Sequence, residues 1–278
     1  MTPDDSTVDA FRRDGAVLLP GLMREWVETI AAGIERNLDE PGPERREYVE
    51  DGHGRFFGDY CNWQRIAEFR EVVFDSPLAA VASRLMGSSR VQFFHDHVLV
   101  KESGTDKATP WHQDAPYYFV DGEQSVSFWI PVDAAADSTL RLIAGSHRWP
   151  KLVTPVRWLN EAGFYADEGE YQAAPDPDAE PDRYQVLEWP IEPGDVVAFH
   201  FRTVHGARGN PHATRRRVLS MRFVGDDARY VERPGATSPP FTGHGMQPGD
   251  TLREDWFPVL DLADREKAAI RVSDRRNP

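Results

Sequence analysis

A mainly β protein with flanking helices, its strands arranged as a sandwich or barrel, is the fold class this sequence predicts. Five runs, VQFFHDHVLVK, SVSFWIPVD, STLRLIAGS, DVVAFHF and RRVLSMRFVG, are rich in β-branched and aromatic residues and are punctuated by Pro, Gly and Asp. They follow one another without helical patterns between them, which argues against a βαβ sheet. At 278 residues and 40% hydrophobic content the chain can bury a substantial core, and no shift in composition marks a second domain, so 1–278 is expected to be one unit.

Ahead of the β-rich part, residues from 1 to about 90 read as largely helical. From Val8 to about Leu38 the pattern is helix, short strand, helix: the apolar GAVLLPG is closed by Pro20 and Gly21, and Trp26, Ile30, Ile34 and Leu38 then recur at helical spacing. The charged EPGPERREYVEDGHG is predicted as a loop, and another helix is expected around Pro77 to Met86. The β core should span about 91–225. Inside it, 160–188 is rich in Pro, Asp and Glu and too long for a hairpin connection, so it reads as a lid insertion or, with equal weight, a solvated acidic insertion. The tail, 226–278, is turn-dense until the helix-like DLADREKAAIRV.

Charge and cysteine usage exclude several functions. A net charge of −14, from 46 acidic and 32 basic residues, repels phosphate backbones and anionic membranes, so neither is expected as a partner. Cys61 is the sole cysteine, which rules out an intramolecular disulfide and a thiolate metal site. With no apolar run of spanning length and a polar N-terminus, a cytoplasmic protein is expected.

The chemistry concentrates in TPWHQDAPYY. His112 and Asp114 stand two apart, and if the segment is a strand their side chains share a face and can grip one cation. An H-x-D alone is weak. In PGDVVAFHFRTVHGARGN a Pro-Gly-Asp turn is expected to launch a strand ending on His205, 91 residues after Asp114. Two imidazoles and one carboxylate leave the remaining metal positions open, the arrangement of non-haem iron(II) oxygenases. Arg215, Arg216 and Arg217 could anchor the far carboxylate of a dicarboxylate co-substrate through paired, charge-assisted hydrogen bonds, or simply guard a solvated strand edge. His200 has the opposite parity to His205 and should not share the metal face, His147 should shape a turn, and His53, His212 and His244 should be exposed.

The order FRRDGAVLLPG, HDHVLVKESGT, TPWHQDAPYY, SFWIPVD, AGSHR, PGDVVAFH, VHGARGN and RRRVLSMRF resembles the phytanoyl-CoA dioxygenase (PhyH) family from about residue 10 to 225. The resemblance implies a double-stranded β-helix of the jelly-roll or cupin type. It also implies iron(II) held by His112, Asp114 and His205, with 2-oxoglutarate and dioxygen as co-substrates. The family's carboxylate-binding arginine follows the last histidine by about eleven residues, which falls on Arg216, or on Arg215 or Arg217 if the loop differs by one. Members often carry Ser or Thr two residues after that histidine. Here the position is Ala207, so Thr203 or Ser220 could complete the anchor. Lys101 and Trp129 match residues near the co-substrate in relatives, and Tyr117 and Tyr118 are expected to wall a small-molecule substrate. Related halogenating enzymes lack the carboxylate ligand, so Asp114 favours hydroxylation, or another oxidative outcome, of a small organic metabolite, with release of succinate and carbon dioxide.

Two other readings stay open. His95, His97 and Glu102 in HDHVLVKE resemble a cupin metal motif, which would make a metal dioxygenase or isomerase needing no 2-oxo acid. A β-barrel binding protein without turnover is the alternative outside catalysis.

Overall fold

The structure is a computed structural model describing residues 2–49, 54–135, 138–158, 163–164, 171–211 and 214–262. In chain order the elements are α1 (Asp5–Asp14), β1 (Ala16–Leu19), α2 (Val27–Asp39), β2 (Arg46–Glu47), β3 (Phe56–Tyr60), α3 (Ala67–Asp75), α4 (Leu78–Met86), β4 (Val91–Lys101), β5 (Thr109–His112), β6 (Val120–Asp121), β7 (Ser125–Pro131), β8 (Leu140–Ile143), β9 (Leu152–Val153) and β10 (Tyr171–Gln172), followed by β11 (Val186–Glu188), β12 (Val196–Phe199), β13 (His205–Ala207), β14 (Arg216–Val224), β15 (Arg229–Tyr230) and β16 (Val259–Leu260).

The long apolar runs pair at the centre of one antiparallel sheet, ordered β1-β12-β7-β14-β4-β3-β2 with β16 beside β4. A second sheet, β11-β8-β13-β5, packs over it, and together they form the double-stranded β-helix. Strand alternation gives the large sheet two different faces. Val98, Val100, Phe128, Ile130, Leu219 and Met221 point outward and are sealed by Ile30 and Ile34 of α2, Phe69 of α3 and Leu78 of α4. The other face looks into the β-helix, where Leu99, Trp129, Val197, Phe199 and Val218 meet Leu140, Leu142 and Ala207 of the small sheet. The register puts His97, Lys101, Arg216, Ser220 and Arg222 on this inward face too.

Several expectations need correction. The charged segment read as a loop contains β2, and the fully buried β3 follows it. Helix α3 went unrecognised because its apolar positions are few, Phe69, Val72 and Val73 being its buried residues. The DVVAFHF strand stops at Phe199, and His205 opens a new strand in the other sheet. β10 and β11 lie inside the 160–188 insertion. The C-terminal helix-like stretch lies, from residue 263 on, outside the described residues. Among the described residues no helix is long and apolar enough to cross a membrane.

One contact between the helical layer and the β-helix bears on the site. Gly15 ends α1 in the left-handed conformation (φ 76°). Its carbonyl accepts hydrogen bonds from the His200 amide (2.9 Å) and the Thr203 hydroxyl (2.7 Å), which fixes the turn leading into His205. A Cβ there would collide with the His147 ring and lie 2.6 Å from Thr203 Oγ1. Gly15→Ala is therefore expected to cost about 2–4 kcal/mol, combining left-handed strain with overpacking. Urea denaturation should show a lower midpoint at unchanged slope, and an unaltered midpoint would refute this docking role.

Candidate metal centre

The geometry around His112 arises from a strand end and a turn. His112 is the last residue of β5 and pairs directly with His205 at the start of β13, so the two rings lie side by side with centroids 4.1 Å apart. Asp114 has left the strand: its backbone is α-helical (φ −70°, ψ −42°) and opens a short 3-10 turn over 115–117. The carboxylate thus reaches the imidazoles by a bend in the chain and not by the strand alternation expected from H-x-D.

Each imidazole is oriented by its own neighbourhood. His112 Nδ1 donates to the Pro110 carbonyl (2.8 Å) and His205 Nδ1 to the Thr203 carbonyl (2.9 Å). That tautomer leaves each Nε2 with a lone pair, the form in which histidine binds metals. The Nε2 atoms lie 3.9 and 3.8 Å from Asp114 Oδ1. One donor atom from each of the three residues lies within 4.8 Å of the others, all three side chains being buried.

The second carboxylate oxygen is occupied by protein. Asp114 Oδ2 accepts from Ser127 Oγ (2.9 Å) and faces Arg222 Nε at 3.4 Å, and Arg222 Nε also donates to the Tyr118 hydroxyl. Burial by itself would raise the Asp114 pKa, but Arg222, His205, His112 and the Ser127 hydrogen bond together hold it well below the usual carboxylate range. Burial and the neighbouring His205 lower His112 to about 3, and burial lowers His205. The cluster therefore offers two neutral nitrogens and one anionic oxygen, a donor set that fits iron(II).

Arg216 and Lys101 are register partners on the inward face of β14 and β4, and both are buried. Arg216 donates to the Ser138 carbonyl and lies 5.6 Å over the Trp129 ring, while Lys101 Nζ donates to the Arg208 carbonyl (2.9 Å). No carboxylate among the described residues pairs with either. Burial lowers Arg216 to about 10, and burial with the adjacent Arg216 holds Lys101 well below its ordinary value. Arg215 and Arg217 instead face outward, Arg215 to Glu35 and Arg217 to Glu35 and Asp133. The Thr203 hydroxyl is spent on Gly15, whereas Ser220 Oγ is buried on the inward face with no partner among the described residues.

Tyr117 and Tyr118 line a cavity of about 350 Å³ together with His112, Asp114, Trp158 and Arg222. His95 and His97 are both buried on β4, yet among the described residues they form no metal-competent group with Glu102, which lies past the strand end. His147 sits in a 3-10 turn, as expected, and bonds the Arg12 carbonyl. His200 points away from the metal face to the Glu123 carbonyl, but its parity argument fails because it lies past the end of β12. His244 is partly buried between Phe119 and Tyr230, and His53 and His212 lie outside the described residues. Sequence reasoning missed Arg222 and Ser127. Arg222 stands six residues after Arg216, so strand parity alone could have placed it on the inward face.

The family model "Phytanoyl-CoA dioxygenase (PhyH)" matches residues 11–218, most of the chain. The chain belongs to the phytanoyl-CoA dioxygenase family. A relative from Caenorhabditis elegans described as "Probable phytanoyl-CoA dioxygenase" is 25% identical over 190 residues, covering 64% of this chain and 54% of that protein, so the match spans about half its length. Two solved structures share the architecture. The non-heme alpha ketoglutarate dependent epimerase SnoN from nogalamycin biosynthesis superposes with a TM-score of 0.73 at 22% identity, covering 92% of this chain and 98% of that one. The carbocyclase SnoK of the same biosynthesis gives 0.71 at 23% identity, covering 93% and 97%.

The lowered His112 pKa makes a sign-definite prediction for the metal-free protein. Between pH 6.5 and about 3 the unfolded chain binds a proton at this residue that the native state does not. Its contribution is therefore fully present above 6.5 and is lost as pH falls toward 3. Wild type should lose more stability than His112→Asn between pH 7 and 5, measured by urea midpoints. Equal losses in the two proteins would contradict a buried neutral imidazole.

Proposed function

We propose that this protein is an iron(II)- and 2-oxoglutarate-dependent dioxygenase that oxidises an unactivated C–H bond of a small organic metabolite, releasing succinate and carbon dioxide. The observation that carries the reading is one β-helix interior holding both a metal-competent His112-Asp114-His205 group and the buried Arg216 guanidinium beside Lys101, with no carboxylate among the described residues paired to either. Buried charge without a partner is costly, and a dianionic co-substrate answers that cost. Membership in a dioxygenase family supports the reading, as does the alpha ketoglutarate dependence named for SnoN and SnoK.

In this reading His112 Nε2, His205 Nε2 and Asp114 Oδ1 hold the iron. Bound iron(II), with 2-oxoglutarate and dioxygen, supplies an oxidant strong enough to take hydrogen from an aliphatic carbon. Arg216 receives the far carboxylate through two parallel N–H donors, with Lys101 beside it and Trp129 packed against the guanidinium. Ser127 and Arg222 keep Asp114 turned so that one oxygen remains free. Tyr117 and Tyr118 wall the substrate cavity and exclude water, and retention of Asp114 favours hydroxylation over halogenation.

The test is spectroscopic and chemical. Anaerobic protein with iron(II) and 2-oxoglutarate should develop a weak visible charge-transfer band, and admitting oxygen should yield succinate. Metal binding without the band overturns the reading in favour of chemistry independent of 2-oxo acids, and absence of metal binding favours a non-catalytic barrel.

Arg216→Met adds a second check. Two charge-assisted hydrogen bonds are lost, so KM for 2-oxoglutarate should rise on the order of 100-fold. The ligand-free variant should be as stable as wild type, or more stable by about 1–4 kcal/mol, because a desolvated charge has been removed. Thermal melts with and without 2-oxoglutarate separate the two effects. An unchanged KM sinks the assignment of Arg216.

A further inference from the structure

The HDH motif is left without a role by the metal centre and the co-substrate anchor. His97 lines the same cavity as His112 and Asp114, stacked on Tyr60 with ring centroids 3.8 Å apart at an interplanar angle of 17°. It is 1% exposed, and its Nε2 finds no hydrogen-bond partner among the described residues. Buried polar atoms without partners are rare in native interiors, and a side chain that lines a ligand cavity with a hydrogen bond unmet is a place where a ligand supplies it.

The nearby tyrosine hydroxyls each have a protein partner. The Tyr117 hydroxyl both donates to the Val156 carbonyl (2.6 Å) and accepts from its amide (2.8 Å). Tyr48 and Tyr60 share a bond at 3.2 Å, and the Tyr118 hydroxyl takes Arg222 Nε. Charged groups of the lining are likewise paired: Arg46 with Glu44, Glu47 with Arg55, and Arg222 with Asp114. Arg157, exposed at the rim, rests on the Phe164 ring. Among the described residues the interior thus offers flat aromatic faces and an imidazole with an unmet hydrogen bond, and its charged groups other than Arg157 at the rim are paired.

We propose that the cavity takes an uncharged, ring-bearing molecule whose hydroxyl or carbonyl oxygen is hydrogen-bonded by His97, making His97 a specificity-determining residue of the substrate site. The proposal rests on the dioxygenase reading and names its substrate class. Burial, chiefly, holds the His97 pKa well below its ordinary value, so the ring is neutral and can donate from one nitrogen or accept at the other.

Equilibrium binding to the iron-loaded protein, followed by tryptophan fluorescence, tests this with three probes: 2-naphthol, naphthalene and 2-naphthoate. The expected order has 2-naphthol about ten-fold tighter than naphthalene, with 2-naphthoate weakest. His97→Leu should abolish the ten-fold preference while leaving naphthalene affinity and iron binding unchanged, and His97→Gln, which keeps a donor and an acceptor, should restore part of it. Tightest binding of 2-naphthoate overturns the uncharged class. A preference for 2-naphthol that survives in both variants, or no preference in wild type, overturns the role of His97. The 2-oxoglutarate chelate band, recorded on the same samples, separates the two levels. Its absence with the naphthol preference intact faults the dioxygenase reading, and its presence without that preference faults only the substrate class.

Discussion

The division of labour between the two oxygens of Asp114 is the constraint on which the site depends. A carboxylate buried beside two imidazoles could turn either oxygen toward them or protonate to avoid the cost of burial. Ser127 and Arg222 remove both freedoms by claiming Oδ2, one through a hydrogen bond and the other through its charge. What remains is a single anionic oxygen facing two neutral nitrogens whose tautomers are fixed by the Pro110 and Thr203 carbonyls. The geometry is thus set by groups that do not themselves touch a metal.

Those groups reach the site because of register. Ser127, Arg222 and His95 lie in one row across β7, β14 and β4, and Trp129, Ser220 and His97 form the next. Further along the same face, Arg216 and Lys101 lie opposite one another. Shifting β14 by one residue would send Arg216 and Arg222 to the helix-covered face and bring Arg215 and Arg217 inside, away from Glu35 and Asp133. The outward apolar residues, Leu219, Met221 and Phe223, are packed against the helical layer and hold the register against such a slip.

The β core was legible because its runs are long and apolar on the outward face: VQFFHDHVLVK is β4, residue for residue. The elements that escaped notice carry mixed signals. β3, FFGDY, follows a run of charged residues and includes a glycine and an aspartate, so it lacks the alternation of a half-buried strand, although all five residues are buried. At the candidate site the residue types were legible and their presentation was not. His112 and Asp114 look like strand neighbours in the sequence, but Pro116 sits within the 3-10 turn that Asp114 opens, so the backbone bends between them. Arg222 escaped because an arginine six residues into an apolar strand resembles an outward charge until the parity of Arg216 is taken into account.

A different logic governs the wall of the cavity. Trp158 touches His112 (4.9 Å between centroids), Tyr48 and His97, yet it comes from the segment after β9 and from no strand of either sheet. That segment is tied to the site by two hydrogen bonds between the Tyr117 hydroxyl and the backbone of Val156 and by a bridge from Val156 to Gly163. His112 and His205 are positioned by the β5–β13 register, Asp114 by the turn that follows β5, and Arg216 and Lys101 by the β14–β4 register, whose disruption would expose the core. The wall over His112 is positioned by a few local bonds, and its side chains can change at small cost to folding. A fold built this way holds the metal-competent group constant in the sheets while leaving the outline of the cavity largely to one segment.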